Sequence, residues 1–279
     1  MKTQAIYKSV AGEKAIMDVY EKVLSMWPAS HKEMNLDTGY GRTFVIAGKD
    51  QSKPPLVLIH GSGSNSATWF ADVAAYSQPY SVYCVDIPGE PGKSEAKRFD
   101  WHGPFFTEWL DDVLQGLGIK QTVLGGISLG GWASLKYAVD RPERVEKLVL
   151  TCPGGVTPSR PSFMLRMIFF SLLGEWGLNR IKNLIFKDQP LSEEADLFFR
   201  LTSKHFNFRR GEPPIFTDEQ LRSVKVPTIF LGGKADIVFN TEKAAQRLKA
   251  LLPDLTVKLY GGKGHALVNM ADIVIPLLN

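Results

Sequence analysis

The sequence predicts an α/β chain: a mainly parallel sheet with helices on both faces, interrupted late by an inserted helical cap. Three observations carry this. From Thr43 onward, short β-rich apolar runs alternate with longer segments of helical period, the arrangement of a parallel sheet covered by its crossover helices. Several runs, such as LVLI and KLVLT, are almost uniformly apolar, as strands buried on both faces must be. Between Pro153 and Pro227 the rhythm breaks and no clear strand occurs.

Taken in order, the first element is a helix over residues 12–27. Ile16, Val19, Tyr20, Val23, Leu24 and Trp27 recur at helical spacing and Pro28 ends the pattern. Its polar face mixes Glu13, Lys14, Asp18, Glu21 and Lys22, whereas membrane-surface helices are dominated by basic residues, so this helix is expected to pack on its own protein. Strands are expected at Thr43 to Ala47, Leu56 to His60, Ser81 to Asp86, Thr122 to Gly125, Lys147 to Cys152, Thr228 to Leu231 and Thr256 to Tyr260. The interruption holds two helical stretches, FMLRMIFFSLLGEWGL and LSEEADLFFRLTSKHF, bordered by PGGVTPSRP and RRGEPP, which have the composition of turns. The expected organisation is therefore a core of residues 1–153 and 226–279 with a helical cap at 154–225.

Composition narrows the class. A chain of 279 residues, 44% hydrophobic, can bury roughly three quarters of its unfolded surface and is not disordered. Its 33 basic and 29 acidic residues give a formal charge of +4, spread without a basic run, so no nucleic-acid partner is expected. The N-terminus has no apolar core of a secretory signal. The most apolar stretch, Phe163 to Leu178, is interrupted by Arg166 and Glu175 and is too short to span a bilayer. Cys84 and Cys152 each end an apolar run and are expected to be reduced and inert. These features describe a soluble cytoplasmic protein without a membrane partner; oligomeric state is left open.

The chemistry centres on Gly126-Ile127-Ser128-Leu129-Gly130. With 25 glycines in 279 residues, a G-x-S-x-G string arises by chance about 0.1 times, so its setting decides its meaning. Here a strand precedes it and a helix follows, which places the serine on a sharp turn with its hydroxyl exposed at the carboxyl edge of the sheet. A serine hydroxyl is a weak nucleophile until a base takes its proton. Of five histidines, His265 in Gly261-Gly262-Lys263-Gly264-His265-Ala266 lies just past the last strand, where a loop returns to the same edge; His31, His102 and His205 lie in no comparable loop and His60 ends a strand. A carboxylate should follow another strand between serine and histidine, and Asp236 does so. The histidines lack the spacing and cysteine neighbours of a zinc site, so neither metal nor cofactor is expected.

With the order Ser128, Asp236, His265 in place, the sequence resembles the α/β-hydrolase superfamily over nearly its whole length, in its serine esterase branch. His60-Gly61-Ser62-Gly63 resembles the family's HG turn, and the resemblance implies that the backbone amides of Ser62 and Leu129 receive the oxyanion. Asp86-Ile87-Pro88-Gly89-Glu90-Pro91-Gly92-Lys93-Ser94 resembles the family's D-x-P-G-x-G-x-S loop but is one residue longer. Its Gly92-Lys93-Ser94 imitates the end of a phosphate-binding loop, yet the first glycine of that motif would have to stand at Ile87, so nucleotide binding is rejected. The aromatic set Trp69, Phe70, Trp101, Phe105, Phe106 and Trp109 is assigned no role beyond core packing.

The expected activity is hydrolysis of small apolar or aromatic carboxylic esters through an acyl-enzyme, with Ser128 as nucleophile, His265 as general base and Asp236 orienting the imidazole. A C–C hydrolase of ring-cleavage products, a thioesterase, a lactonase and an acyltransferase share this fold and triad order and remain open. A non-enzymatic ligand-binding member is the alternative from another class, which multiple turnover would separate.

Overall fold

The computed structural model describes residues 5–187 and 189–278. Eight strands form one sheet: β1 (His31–Thr38), β2 (Gly41–Gly48), β3 (Pro55–Ile59), β4 (Ser81–Val85), β5 (Thr122–Ile127), β6 (Val145–Thr151), β7 (Thr228–Gly233) and β8 (Leu255–Tyr260). Their order is β1-β2-β4-β3-β5-β6-β7-β8. β2 runs antiparallel to β1 and β4, and every pair from β4 to β8 is parallel. Each expected strand is present, and β1 is an eighth that the periodicity did not suggest. Its HKEMNLDT is an edge strand that buries only Leu36, so it lacks the apolar run by which the central strands are recognised.

The sheet is covered on both faces. One face carries α1 (Val10–Ser25), α2 (Phe70–Tyr76) and α10 (Ala271–Leu278), whose Tyr20, Val73 and Val274 pack on Leu56, Leu58 and Val123. The other carries α3 (Phe105–Gly116), α4 (Leu129–Asp140) and α9 (Thr241–Leu251), whose Trp109, Leu135 and Leu248 pack with Val57, Ile59 and Leu124. Strands that alternate their side chains between two covered faces must be apolar at every position, which explains LVLI and KLVLT.

α1 starts two residues before its expected position, at Val10, because Ser9 caps it: the Ser9 hydroxyl accepts from Gly12 N–H at 3.0 Å. It does pack on its own chain. Tyr20 and Leu24 face the sheet, while Gly12 abuts His205, so close that a Cβ there would stand 2.6 Å from His205 Cβ.

Between β6 and β7 lie α5 (Pro161–Ser171), α6 (Gly174–Phe186), α7 (Glu193–His205) and α8 (Asp218–Ser223). The stretch FMLRMIFFSLLGEWGL is two helices, broken at Leu172–Leu173 before Gly174, whose φ of +56° a side chain would resist. α5 buries none of its residues, and Leu165, Phe169, Leu172 and Trp176 form an exposed apolar face. No helix among the described residues is long and apolar enough to cross a membrane.

Candidate active site

Ser128 stands at the turn from β5 into α4 with φ +53° and ψ −108°, a conformation that costs a non-glycine residue energy. The backbone holds it there: Ser128 N–H donates to Thr151 O at 2.9 Å, and Ser128 O accepts from Trp132 N–H at 2.9 Å and from Gly154 N–H at 3.1 Å. The flanking glycines are steric requirements. A Cβ on Gly126 would stand 2.2 Å from Gly130 O, and one on Gly130 would stand 2.2 Å from Ile59 O. The G-x-S-x-G spacing thus lets helix and strand approach closely enough to push the serine side chain outward.

The structure brings Ser128, His265 and Asp236 together. His265 Nε2 is 3.0 Å from Ser128 Oγ, and His265 Nδ1 is 2.8 Å from Asp236 Oδ2. Asp236 is buried, and its other oxygen, Oδ1, accepts the amides of Val238 at 2.7 Å and Phe239 at 3.0 Å. Burial alone would raise its carboxyl pKa, but the His265 charge and hydrogen bond, with the two amides, outweigh burial and hold it below the ordinary value. The carboxylate therefore stays ionised and fixes the imidazole with Nδ1–H toward it, leaving Nε2 to accept from the serine hydroxyl.

The histidine loop is anchored by the end of α6. Ala266 N–H donates to Ile185 O at 3.1 Å, and Gln189 Nε2 donates to Ala266 O at 2.5 Å. A Cβ on Gly264 would stand 2.4 Å from Ile185 O, so only glycine admits this approach. Sequence reasoning missed Gln189, which lies 77 positions from its partner and belongs to no local pattern.

The HG turn sits beside Ser128: a Cβ on Gly61 would be 3.5 Å from Ser128 Cβ. His60 is fully buried and shapes that turn. Its Nε2 accepts from Ile87 N–H at 2.9 Å, so the ring proton is on Nδ1, which donates to Gly61 O at 2.8 Å. Burial lowers its basicity and keeps it neutral. Because Gly61 C=O and Ser62 N–H share one peptide plane, this bond also sets the direction of the Ser62 amide.

Asp86 organises the longer loop. Its Oδ1 accepts from Tyr20 OH at 3.0 Å, Ser66 N–H at 2.8 Å and Ser66 Oγ at 2.7 Å, and its Oδ2 accepts from Lys93 N–H at 2.8 Å. Lys93 Nζ is committed to Glu21 and Glu33, each at 2.9 Å, which fits a structural turn and not a phosphate cradle.

Cys152 lies against the Asp236–His265 pair, its sulfur within 4.8 Å of their ligand atoms. The carboxylate and Nδ1 are bound to each other, and burial pushes the thiol pKa far up, so this trio has the character of packing and not of a metal site. Of the aromatic set, Trp69, Phe105, Phe106 and Trp109 are buried in the core and Phe70 and Trp101 pack half-buried against it; Trp101 stacks on Phe106 at 5.7 Å and Phe105 on Trp109 at 5.8 Å.

Comparison with known proteins places this geometry. Residues 56–275 match the alpha/beta hydrolase family. The uncharacterized carboxylesterase nap of Bacillus subtilis (strain 168) is 30% identical over 257 residues, covering 89% of this chain and 85% of its own. The crystal structure of naproxen esterase (carboxylesterase NP) from Bacillus subtilis superposes with a TM-score of 0.88 at 28% identity, over 98% of this chain and 100% of that one. Carboxylesterase CesB (YbfK) from Bacillus subtilis follows with 0.85 at 26% identity, over 96% and 99%. With a matched span that takes in the serine, aspartate and histidine, and a relative aligned along most of both chains, the protein belongs to the alpha/beta hydrolase family.

Proposed function

We propose that the protein is a serine carboxylesterase with Ser128 as nucleophile, His265 as general base and Asp236 as the orienting carboxylate. One observation carries the reading: the continuous chain from Ser128 Oγ through His265, at 3.0 Å and 2.8 Å, to an ionised and buried Asp236. The carboxylesterase names borne by relatives of 26–30% identity support the choice of ester over other acyl substrates.

In this mechanism His265 Nε2 takes the Ser128 proton as Oγ bonds to the ester carbonyl carbon, and the carbonyl electron pair moves onto oxygen. The amides of Ser62 and Leu129 receive that oxyanion, each donor contributing a few kcal/mol because its dipole is already in place. The imidazolium then protonates the leaving alcohol, and water repeats the sequence to release the acid. Residues 154–225 form the proposed cap over this edge. Phe239, 5.5 Å ring to ring from His265, and Phe208, whose ring crowds Gly63, favour a small apolar or aromatic acyl group. The proposed location is the cytoplasm, in keeping with two free, buried cysteines.

The test is steady-state hydrolysis of p-nitrophenyl esters of increasing acyl length. Wild type is expected to turn over with a chain-length optimum, and Ser128→Ala to lose roughly 10^4-fold or more of kcat/KM. Turnover by Ser128→Ala at the wild-type rate would exclude this nucleophile.

A further inference from the structure

The loop from Asp86 to Ser94, one residue longer than D-x-P-G-x-G-x-S, turns Glu90 inward. Glu90 is 1% exposed, and its carboxylate points under the HG turn. Its Oε2 accepts from Gly63 N–H at 2.7 Å and from Ser62 Oγ at 3.4 Å. The loop's own bonds aim it there: Gly89 turns at φ +78°, Glu90 N–H donates to Ile87 O at 3.2 Å, and Gly92 N–H donates to Glu90 O at 2.8 Å. The neighbouring Pro91 carbonyl accepts from Asn65 Nδ2 at 2.9 Å, a second tie to the far side of the same turn.

A buried carboxylate this close to a forming oxyanion would oppose it unless its charge were met. Burial raises the Glu90 carboxyl above its ordinary value and so weakens that charge, while the Gly63 amide and the Arg209 and Arg98 guanidinium groups pull the other way without overcoming burial; Arg209 lies 4.3 Å over the Trp101 ring. Arg98 is itself held by the Gly89 and Asn207 carbonyls, and Arg209 Nη1 donates to Phe99 O at 2.6 Å.

We infer that Glu90 is a positioning residue for ester hydrolysis, gripping the Gly63 amide so that the Ser62 N–H is held toward the oxyanion. His60 fixes the Gly61–Ser62 peptide from one side and Glu90 fixes the Ser62–Gly63 peptide from the other. The donor between them is left no freedom to turn away, which is the preorganisation such a site depends on. This rests on the serine esterase reading and adds to it a residue outside the triad.

The experiment compares Glu90→Gln, which keeps an oxygen acceptor for Gly63, with Glu90→Met, which keeps the size and removes the acceptor. Each is measured for kcat/KM on a p-nitrophenyl ester, normalised by burst titration of active sites. Each is also measured for Ki of a trifluoromethyl ketone, which forms a hemiketal oxyanion on the serine, and of the matching methyl ketone as a ground-state mimic.

Glu90→Met is expected to lose roughly tenfold to hundredfold in kcat/KM and to weaken the trifluoromethyl ketone by the same factor, with the methyl ketone unchanged. Glu90→Gln is expected to stay within about threefold of wild type. Should the unpaired guanidinium groups prevent Glu90→Met from folding, Glu90→Met/Arg209→Met removes charge and partner together and carries the same expectation.

The inference is overturned if the acceptor-free variant retains full activity per titrated site. It is also overturned if Gln and Met behave alike, or if activity falls while the trifluoromethyl ketone binds as before. If wild-type enzyme fails to bind the trifluoromethyl ketone more tightly than the methyl ketone, the esterase reading fails first, and the role of Glu90 with it.

Discussion

Asp236 and His60 illustrate how a side chain's partners decide what it does. Asp236 is buried yet stays ionised because one oxygen faces His265 and the other two backbone amides. Asparagine would keep the carbonyl oxygen for those amides, but its NH₂ would face Nδ1 and force the proton to Nε2, where it can no longer accept from Ser128. Asp236→Asn is therefore expected to fold normally and lose roughly 10^4-fold in kcat, with KM changed far less. Ester kinetics beside a circular dichroism melt check both halves. His60 makes the opposite case: its two nitrogens are committed to Ile87 and Gly61, so a ring that could have served as a base is instead part of the scaffold.

At the scale of elements, the closest approaches are made by glycine. Gly130→Ala would drive a methyl group into the Ile59 carbonyl, at the contact that sets α4 against β3 and Ser128 on its turn. It is expected to cost about 1–3 kcal/mol of stability and most of the activity. Gly261→Ala meets nothing within 4 Å and is expected to stay within about 0.5 kcal/mol of wild type. Denaturant melts of the pair test whether the motif is steric or merely flexible.

The same scale shows what could be read from the chain. Strands buried on both faces declare themselves by composition, and Ser128 and Asp236 could be picked out because they come just after two such strands, β5 and β7, whereas His265 was marked by the glycine-rich loop that follows the edge strand β8. β1 could not, since an edge strand needs no apolar run. Nor could the break at Leu172–Leu173, because apolar residues suit two short helices as well as one long one. Glu90 and Gln189 were hidden for another reason: each acts on a loop 27 or 77 positions away, and only the folded register brings them there.

Across the whole molecule, stability is tied to pH through His60. In the native state burial lowers its pKa, whereas in the unfolded chain it titrates near about 6.5. Below that value the unfolded form takes up a proton that the native form resists, so this contribution weakens stability as pH falls through the unfolded pKa; above it the contribution is absent. Asp236 acts lower on the scale and in the same direction: its depressed pKa adds stability above the ordinary carboxylate range, which is lost as pH falls through the folded value. The melting temperature is expected to fall between pH 7 and pH 5, and to fall less steeply in His60→Gln. An equal slope in the two proteins would assign the acid sensitivity elsewhere.

The exposed face of α5 and α6 has a consequence for the protein in bulk. Phe169 at 58% exposure, Leu172 at 78% and Trp176 at 54% make an adhesive surface on a molecule of small net charge. Sulfate and phosphate strengthen the association of apolar surfaces. Rising sulfate should therefore draw the protein onto a phenyl matrix and, at high concentration, onto itself, so its colloidal behaviour is governed by one helix pair that the core does not use.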